Sequence, residues 1–183
     1  MNRYKKIYAY FHINKAEIAL IFINEKDRTN CMKYIHNITI RAFSKNDTPE
    51  SIEKGFDFIV PFDMMKEKIK INTEYFGADS DNPDAEPLTV YSISFDRQSF
   101  IGEFMRYFRG LLSPGQKKII IEKAEKYMDE DCAVYIRLDK DALIRERIEM
   151  VDHGNCYHIT MNIAAFPKKR EKALDIVRML FSE

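Results

Sequence analysis

Four basic residues gather at the predicted start of the last helix. Periodic apolar residues predict a helix over 168–181, and Pro167 stands just before it. A helix N-terminus carries partial positive charge, so each cation placed there costs roughly 0.3–1 kcal/mol at low salt. Only one acid, Glu171, accompanies the cations. The chemistry that this pattern favours is the binding of an anion such as phosphate, and the cations are Lys168, Lys169, Arg170 and Lys172.

Carboxylates form a second set of side chains that could do chemistry. Asp139 and Asp141 follow a predicted strand at 133–138, and the predicted loop 77–87 holds four more acids. Nucleases hold Mg²⁺ on carboxylates, so a Mg²⁺-dependent nuclease is one alternative function. In the other interpretation Asp139 caps a short helical turn and the loop is a solvated connection. We predict no catalytic residue.

No pattern in the sequence predicts a cofactor or a metal site. Three cysteines lie far apart and form no Cys-x-x-Cys pair, which favours free thiols in a reducing cytoplasm. No P-loop, nucleophile elbow or glycine-rich dinucleotide pattern is present in the sequence. The histidines show no ligand spacing either; they are His12, His36, His153 and His158.

The elements that must position the basic residues predict an α+β fold. Period-2 and period-3.6 apolar patterns give the order strand, helix, strand, strand, helix, helix, strand, strand, strand, helix. Helices are then expected to cover one face of a mainly antiparallel sheet. The predicted strands are 34–43, 68–76, 88–95, 133–138, 148–151 and 156–166, and the predicted helices are 49–58, 97–112, 114–129 and 168–181.

The sheet face without helices must meet solvent, a ligand or a partner. Arg41 and Lys45 lie on or just past the first strand, and Arg137 projects outward from its own strand. If the strand order brings them together, they extend a basic patch across this face. Phe43 and Tyr135 would then either stack on bases or simply pack between neighbouring strands.

The formal charge is zero over the whole chain but is unevenly divided. Residues 1–32 carry six Lys/Arg against three Asp/Glu, whereas residues 33–183 carry twenty-three against twenty-six. The main body is therefore mildly acidic, and no global field steers it toward nucleic acid. Any binding of RNA must depend on a local basic face.

Residues 1–32 are predicted to be an extension of a domain that spans 33–183. The runs 7–13 and 18–23 are typical of strands and favour an extra hairpin. The alternative is that translation begins at Met32 and that the preceding residues are a start-site error. No run approaches the roughly 20 apolar residues of a membrane span, so we expect no membrane partner.

Two motifs close predicted strands in the last third of the chain. One is Tyr135-Ile136-Arg137-Leu138-Asp139-Lys140, and the other is Ala165-Phe166-Pro167-Lys168-Lys169-Arg170-Glu171. Together with the opening strand, they resemble an archaeal family described as a predicted exosome subunit or RNA-binding domain. The resemblance covers residues 33–183, and it departs from the family at Asp141, where Gln is usual.

The resemblance implies a ribosomal protein L-five-like fold and an RNA-binding role without catalysis. It implies an accessory of the archaeal exosome or of ribosomal RNA processing, with RNA and an RNA-processing protein complex as partners. A nuclease and a protein-binding adaptor are the alternative functions. Through the Asp-Lys pair of the first motif, Lys140 joins the candidate contacts. The predicted RNA-binding residues are Arg41, Lys45, Arg137, Lys140, Lys168, Lys169, Arg170 and Lys172.

Overall fold

A five-stranded antiparallel sheet and six helices make up the described part of the chain, residues 34–77 and 87–182 of the computed structural model. The predicted α+β class is confirmed, whereas the predicted hairpin at 7–23 lies outside the described residues. The strands are β1 (Ile35–Ser44), β2 (Asn72–Phe76), β3 (Leu88–Phe95), β4 (Ala133–Asp139) and β5 (Cys156–Ile163). The helices are α1 (Pro49–Ile59), α2 (Gln98–Leu111), α3 (Pro114–Glu122), α4 (Ala124–Tyr127), α5 (Lys140–Ile144) and α6 (Arg170–Phe181).

The strands are ordered β2-β3-β1-β5-β4, and every neighbouring pair is antiparallel. Strand β1 lies at the centre, so it is hydrogen-bonded on both edges. Strands β2 and β3, which follow one another in the chain, form an antiparallel pair. Strand β5 lies between β1 and β4. A residue of β1 and a residue of β4 are therefore aligned across the sheet only when both are paired with the same residue of β5.

Alternating side chains give the sheet one buried face. On β1 the side chains of Ile38, Ile40 and Ala42 are fully buried, as the period-2 pattern predicts. Helical residues such as Phe56 and Phe104 pack onto this face in a single hydrophobic core. Each such side chain contributes roughly 1.5–3 kcal/mol when it is withdrawn from water. The opposite face carries the polar residues of each strand, and we call it the open face.

Close packing of α1 on the sheet depends on a glycine. A Cβ atom at Gly55 would lie 2.2 Å from the Tyr157 hydroxyl. That hydroxyl donates a hydrogen bond to the backbone oxygen of Ile52, at 2.7 Å. The helix begins as predicted, since Thr48 accepts a hydrogen bond from the N–H of Ser51 and Pro49 occupies the first turn.

The last helix begins later than its sequence predicts. Helix α6 starts at Arg170, and Lys169 is its N-cap residue with an extended backbone. The predicted start at 168 is therefore wrong, and Lys168 precedes the helix. Strand β5 also ends at Ile163 rather than at 166.

Other boundaries also differ from the predicted ones. The predicted helix 114–129 is broken at Lys123 into α3 and α4. Strand β2 begins at Asn72 instead of 68. The predicted strand 148–151 forms only an isolated bridge, between Met150 and Leu138.

Two expectations drawn from composition concern thiols and membranes. Cys132 and Cys156 are free and buried, as predicted, and Cys31 lies outside the described residues. Within residues 34–77 and 87–182, no helix combines the length and the apolar character needed to cross a bilayer.

Candidate nucleic-acid interface

A row of basic and aromatic groups crosses the open face. Arg137 on β4 is paired in register with His158 on β5, and His158 with Arg41 on β1. Neighbouring strands lie about 4.8 Å apart, so the backbones of the two arginines are roughly 10 Å apart. Arg41 is exposed and Arg137 is half-buried. The sheet order thus brings these two cations together, and we call Arg41, His158 and Arg137 the basic row.

The histidine in the basic row is held in its neutral form. Burial lowers the pKa of His158, and the charges of Arg137 and Arg41 on the flanking strands lower it further. The imidazole ring also packs edge-to-face on Phe43, with the ring centres 4.8 Å apart. At neutral pH the charge of the row therefore comes from its two guanidinium groups.

This lowered pKa makes the stability of the fold depend on pH below about 6.5, the ordinary pKa of histidine. As pH falls below that value, the unfolded chain takes up a proton at His158 that the folded chain does not yet accept. The free energy of unfolding should therefore decrease between pH 7.5 and pH 5.5, and the decrease should be smaller in His158→Gln. Urea denaturation at the two pH values measures both.

His153 provides the matched control, since it is exposed in the turn before β5. His153→Gln removes the same kind of side chain and should keep the pH dependence of the wild type. An identical pH dependence in wild type and His158→Gln would contradict the assignment.

The two aromatic residues predicted for the open face are engaged within the fold. Phe43 packs on His158, and the Tyr135 hydroxyl donates to Asp129 Oδ2 at 2.7 Å. That hydrogen bond and burial raise the pKa of Tyr135. Next to Tyr135, Thr160 is buried and its hydroxyl has no partner in the described part of the chain. The simpler interpretation, packing between strands, fits both rings.

Lys140 does not lie on the open face, so the prediction that it contacts RNA does not fit the structure. The side chain is 1% exposed. Its Nζ donates to the Phe43 carbonyl at 3.0 Å and forms an ion pair with Asp47. Burial raises the pKa of Asp47, but hydrogen bonds from Lys140 and Ser44 outweigh it and hold the pKa below its ordinary value. This pair ties the end of β4 to the end of β1.

Lys45 lies at one end of the open face, where β1 ends. It is exposed and lines a cleft of about 430 Å³ together with Phe43, Asp47, Leu88 and Asn155 among other residues. The buried Lys140–Asp47 pair forms part of the wall. Lys45 therefore continues the positive charge beyond the basic row toward this end of the sheet.

The basic turn, residues 167–172, lies at the opposite end of the sheet. Lys168 Nζ is 2.6 Å from Asp131 Oδ1, and this ion pair raises the pKa of Lys168. Lys172 donates to the Phe166 carbonyl at 3.1 Å. Lys169 is exposed and makes no ion pair within residues 34–77 and 87–182. Exposed surface pairs contribute little to stability, so Lys168 can exchange Asp131 for another anion.

The Arg170 guanidinium is bound to backbone carbonyls of the fold and is therefore not free to bind an anion. It donates to the carbonyl oxygens of Glu125, at 2.6 Å, and Asp129, at 3.0 Å. A cation at carbonyls in the last turn of a helix or just beyond it is favourable for the helix dipole. The sequence predicts that this cation is unfavourable at the N-terminus of α6. Its contacts with α4 and the turn that follows offset that cost in free energy.

A chain of contacts joins the basic turn to the basic row. Asp131 donates its backbone N–H to Asp129 Oδ1, while Asp129 Oδ2 accepts from Tyr135. Burial opposes ionisation of Asp129, but these hydrogen bonds hold its pKa below the ordinary value. Tyr135 lies two residues before Arg137, or about 7 Å along β4. Lys168 and Arg137 thus belong to one continuous surface.

Sequence reasoning missed two residues of this surface. The alternation of β5, which is visible in the sequence, places the His158 side chain outward. That two arginines flank it follows only from the order of the strands. Phe166 belongs to a quoted motif, yet its 93% exposure has no signature in the sequence.

The carboxylates considered for metal binding do not gather within the described ranges. Residues 34–77 and 87–182 contain no group of three or more His, Cys, Asp or Glu side chains that could hold a metal ion. Asp139 accepts a hydrogen bond from the N–H of Ala142 at 2.8 Å, so it caps α5 as the alternative interpretation predicts. Residues 78–86 of the acidic loop lie outside the described part.

Comparison with known proteins identifies relatives of the domain. A family model described as RNA binding matches residues 37–164. The chain is 29% identical over 148 residues to the RNA-binding protein PAB1135 of Pyrococcus abyssi, covering 78% of this chain and 91% of that protein.

Solved structures share the fold. Protein AF2318 from Archaeglobus fulgidus superposes with a TM-score of 0.70 at 20% identity, covering 80% of this chain and 99% of its own. Mth689 from Methanothermobacter thermautotrophicus gives a TM-score of 0.62 at 23% identity, covering 81% and 98%. Both are described as DUF54 proteins.

Proposed function

The chain belongs to the RNA-binding family, and we propose that it binds RNA on its open face without cutting it. The observation that carries the proposal is the basic row, in which the register places Arg41 and Arg137 on either side of His158. Arginine presents a planar fork of donors that matches phosphate oxygens. Two such groups about 10 Å apart, on a face that none of the described helices covers, can hold successive parts of an RNA backbone.

Further cations extend this surface along the strands. Lys45 lies at the end of β1, and Lys168 and Lys169 lie at the other end of the sheet. Arg41 and Asn37 are four residues apart on β1, which corresponds to about 13 Å along the strand. The row of paired residues that contains Asn37 adjoins the basic turn. The proposed contacts are Arg41, Lys45, Arg137, Lys168, Lys169 and Lys172. Lys140 and Arg170 are left out because two acceptors within the fold hold the charged group of each.

The acidity of residues 33–183 makes this surface local. With twenty-three Lys/Arg against twenty-six Asp/Glu, the body repels a polyanion except where cations cluster. Binding should therefore depend on a few phosphate contacts and be sensitive to salt.

A salt titration tests the proposal. If roughly four phosphates are contacted, the logarithm of the affinity for a single-stranded oligoribonucleotide should fall with the logarithm of the salt concentration at a slope of about −3. Fluorescence anisotropy with an end-labelled RNA, from 50 to 300 mM KCl, measures the slope. The same RNA should remain intact in the presence of Mg²⁺ because the proposed role is not catalytic.

Absence of binding at the lowest salt would contradict the RNA-binding proposal. Affinity that does not change with salt would point to a surface other than these cations. Mg²⁺-dependent shortening of the labelled RNA would favour the nuclease alternative.

The finer functional predictions rest on the family resemblance alone. An accessory role at the archaeal exosome or in ribosomal RNA processing is supported by the two motifs at the ends of β4 and β5. The L-five-like classification has the same basis, and the extension at 1–32 lies outside the described residues. These stay predictions. A protein-binding adaptor would use the same open face but has no need of its arginines.

A further inference from the structure

Phe166 exposes its ring almost completely, with 93% of the residue accessible to solvent. It lies in the connection between β5 and α6, directly before the basic turn. A phenylalanine left in water forgoes roughly 1.5–3 kcal/mol of burial. Single exposed apolar residues are common on protein surfaces, so exposure alone assigns no role. The surroundings of Phe166 supply the further observations.

The segment around Phe166 is held at two points. Lys172 donates to the carbonyl of Phe166 itself, at 3.1 Å. Arg170 donates to two carbonyls on and after α4. The ring is therefore presented from an anchored segment, which lowers the entropy lost when a ligand binds.

A cation also follows the ring closely in the chain. Lys169 lies three residues along the chain, is exposed, and makes no ion pair in the described part of the molecule. Exposed aromatic rings combined with nearby cations are a common means of binding single-stranded nucleic acid, since a ring stacks on a base and an ammonium contacts a phosphate.

The same segment is continuous with the open face. Contacts run from Lys168 through Asp131 and Asp129 to Tyr135, which neighbours the basic row. An RNA strand held by Arg41 and Arg137 can therefore extend to Phe166 along one surface. By contrast, Phe43 and Tyr135 are engaged within the fold, whereas the Phe166 ring is exposed.

We propose that Phe166 is a stacking platform for an unpaired base and that the protein therefore selects single-stranded RNA. The inference rests on the proposed function and names its substrate class. Bases in an RNA duplex are already stacked on one another and cannot reach the ring. A duplex of the same charge would use only the cations.

The experiment compares Phe166→Ala with wild type on a single-stranded RNA and on a blunt-ended duplex of two complementary strands, which has no unpaired base. Stacking on an aromatic side chain contributes enough that its loss should weaken single-strand affinity on the order of tenfold. Duplex affinity and the slope of affinity against salt should not change, because the charges are intact. Phe166→Tyr should retain the affinity of the wild type.

Met65→Ala is the matched control. Met65 is also an exposed apolar residue, at 91%, but it lines a groove beside α1 and α2. Its replacement should leave both affinities unchanged. Thermal unfolding of each variant establishes that the fold is kept, as expected for side chains that contact little.

The outcomes separate this inference from the proposed function. If Phe166→Ala binds single strands as well as wild type while Arg41→Ala/Arg137→Ala does not, the stacking platform is wrong and the RNA surface stands. Equal weakening on single strand and duplex would also overturn the stacking role. If wild type binds neither RNA, both proposals fail.

Discussion

Replacing Asp47 with Ala is expected to lower the free energy of unfolding by about 3 kcal/mol. The reason is Lys140, whose side chain is 1% exposed and whose ammonium has only Asp47 and the Phe43 carbonyl as partners among the described residues. Removing the carboxylate leaves the ammonium of a buried side chain without its ionic partner. Urea denaturation at pH 7 measures the loss.

Removing both partners should cost less than removing Asp47 alone. In Asp47→Ala/Lys140→Met the buried charge is gone and an apolar chain of similar length fills its place. Glu122→Ala is the matched control, since Glu122 and Lys118 form a surface pair with side chains 60% and 75% exposed. Its effect should stay below about 0.5 kcal/mol. A loss of that size in Asp47→Ala as well would contradict the structural role of the pair.

The same variants decide between two roles of Lys140. If it is a structural residue, the folded double variant should bind RNA with the affinity of the wild type. The family resemblance alone predicts weaker binding, because Lys140 belongs to its motif. A double variant that is folded but binds RNA weakly would restore Lys140 to the interface.

Replacing Arg41 and Arg137 together with Ala is expected to weaken RNA binding about 30-fold at low salt. Each guanidinium is assigned roughly 1 kcal/mol of a charge-assisted contact, a low value because both groups keep access to water. The slope of affinity against salt should change from about −3 to about −1.6, since two phosphate contacts are lost. The loss should be similar for different sequences, because phosphates carry no sequence information.

The control must remove the same charge elsewhere. Lys54→Ala/Arg178→Ala does so on α1 and α6, in the helical layer, where both side chains are exposed. It should keep at least a third of the wild-type affinity. Anisotropy titrations at 50 and 150 mM KCl distinguish the two double variants. Equal weakening in both would mean that net charge, and not the basic row, governs binding.

Local patterns in the sequence were sufficient to predict most elements. Ile38, Ile40 and Ala42 alternate with polar residues, and that period alone places one face of β1 in a core. Thr48 before Pro49 marks the start of α1, and Asp139 after an apolar strand marks the cap of α5. These interactions span three or four residues, so they can be predicted without the fold.

Boundaries were less predictable where distant groups end an element. Apolar residues continue past Lys123, but the helix breaks there, and Ala124 and Tyr127 after the break lie in the core. The last helix begins at Arg170 and not at 168, and the Arg170 guanidinium reaches carbonyls 41 and 45 positions earlier in the chain. No local pattern contains that contact.

The types of residue in the interface were determined by the sequence, since the basic turn, Arg41, Lys45 and Arg137 can all be picked out there. Which of them face one surface was decided by tertiary structure alone. Strand order inserts β5 between β1 and β4 and so places His158 between two arginines. The fold also buries Lys140 against Asp47, 93 positions away, and leaves Phe166 in water. The physical reason is that side-chain type and period are local properties of a chain, whereas the partner of a charge is set by contacts between segments far apart in sequence.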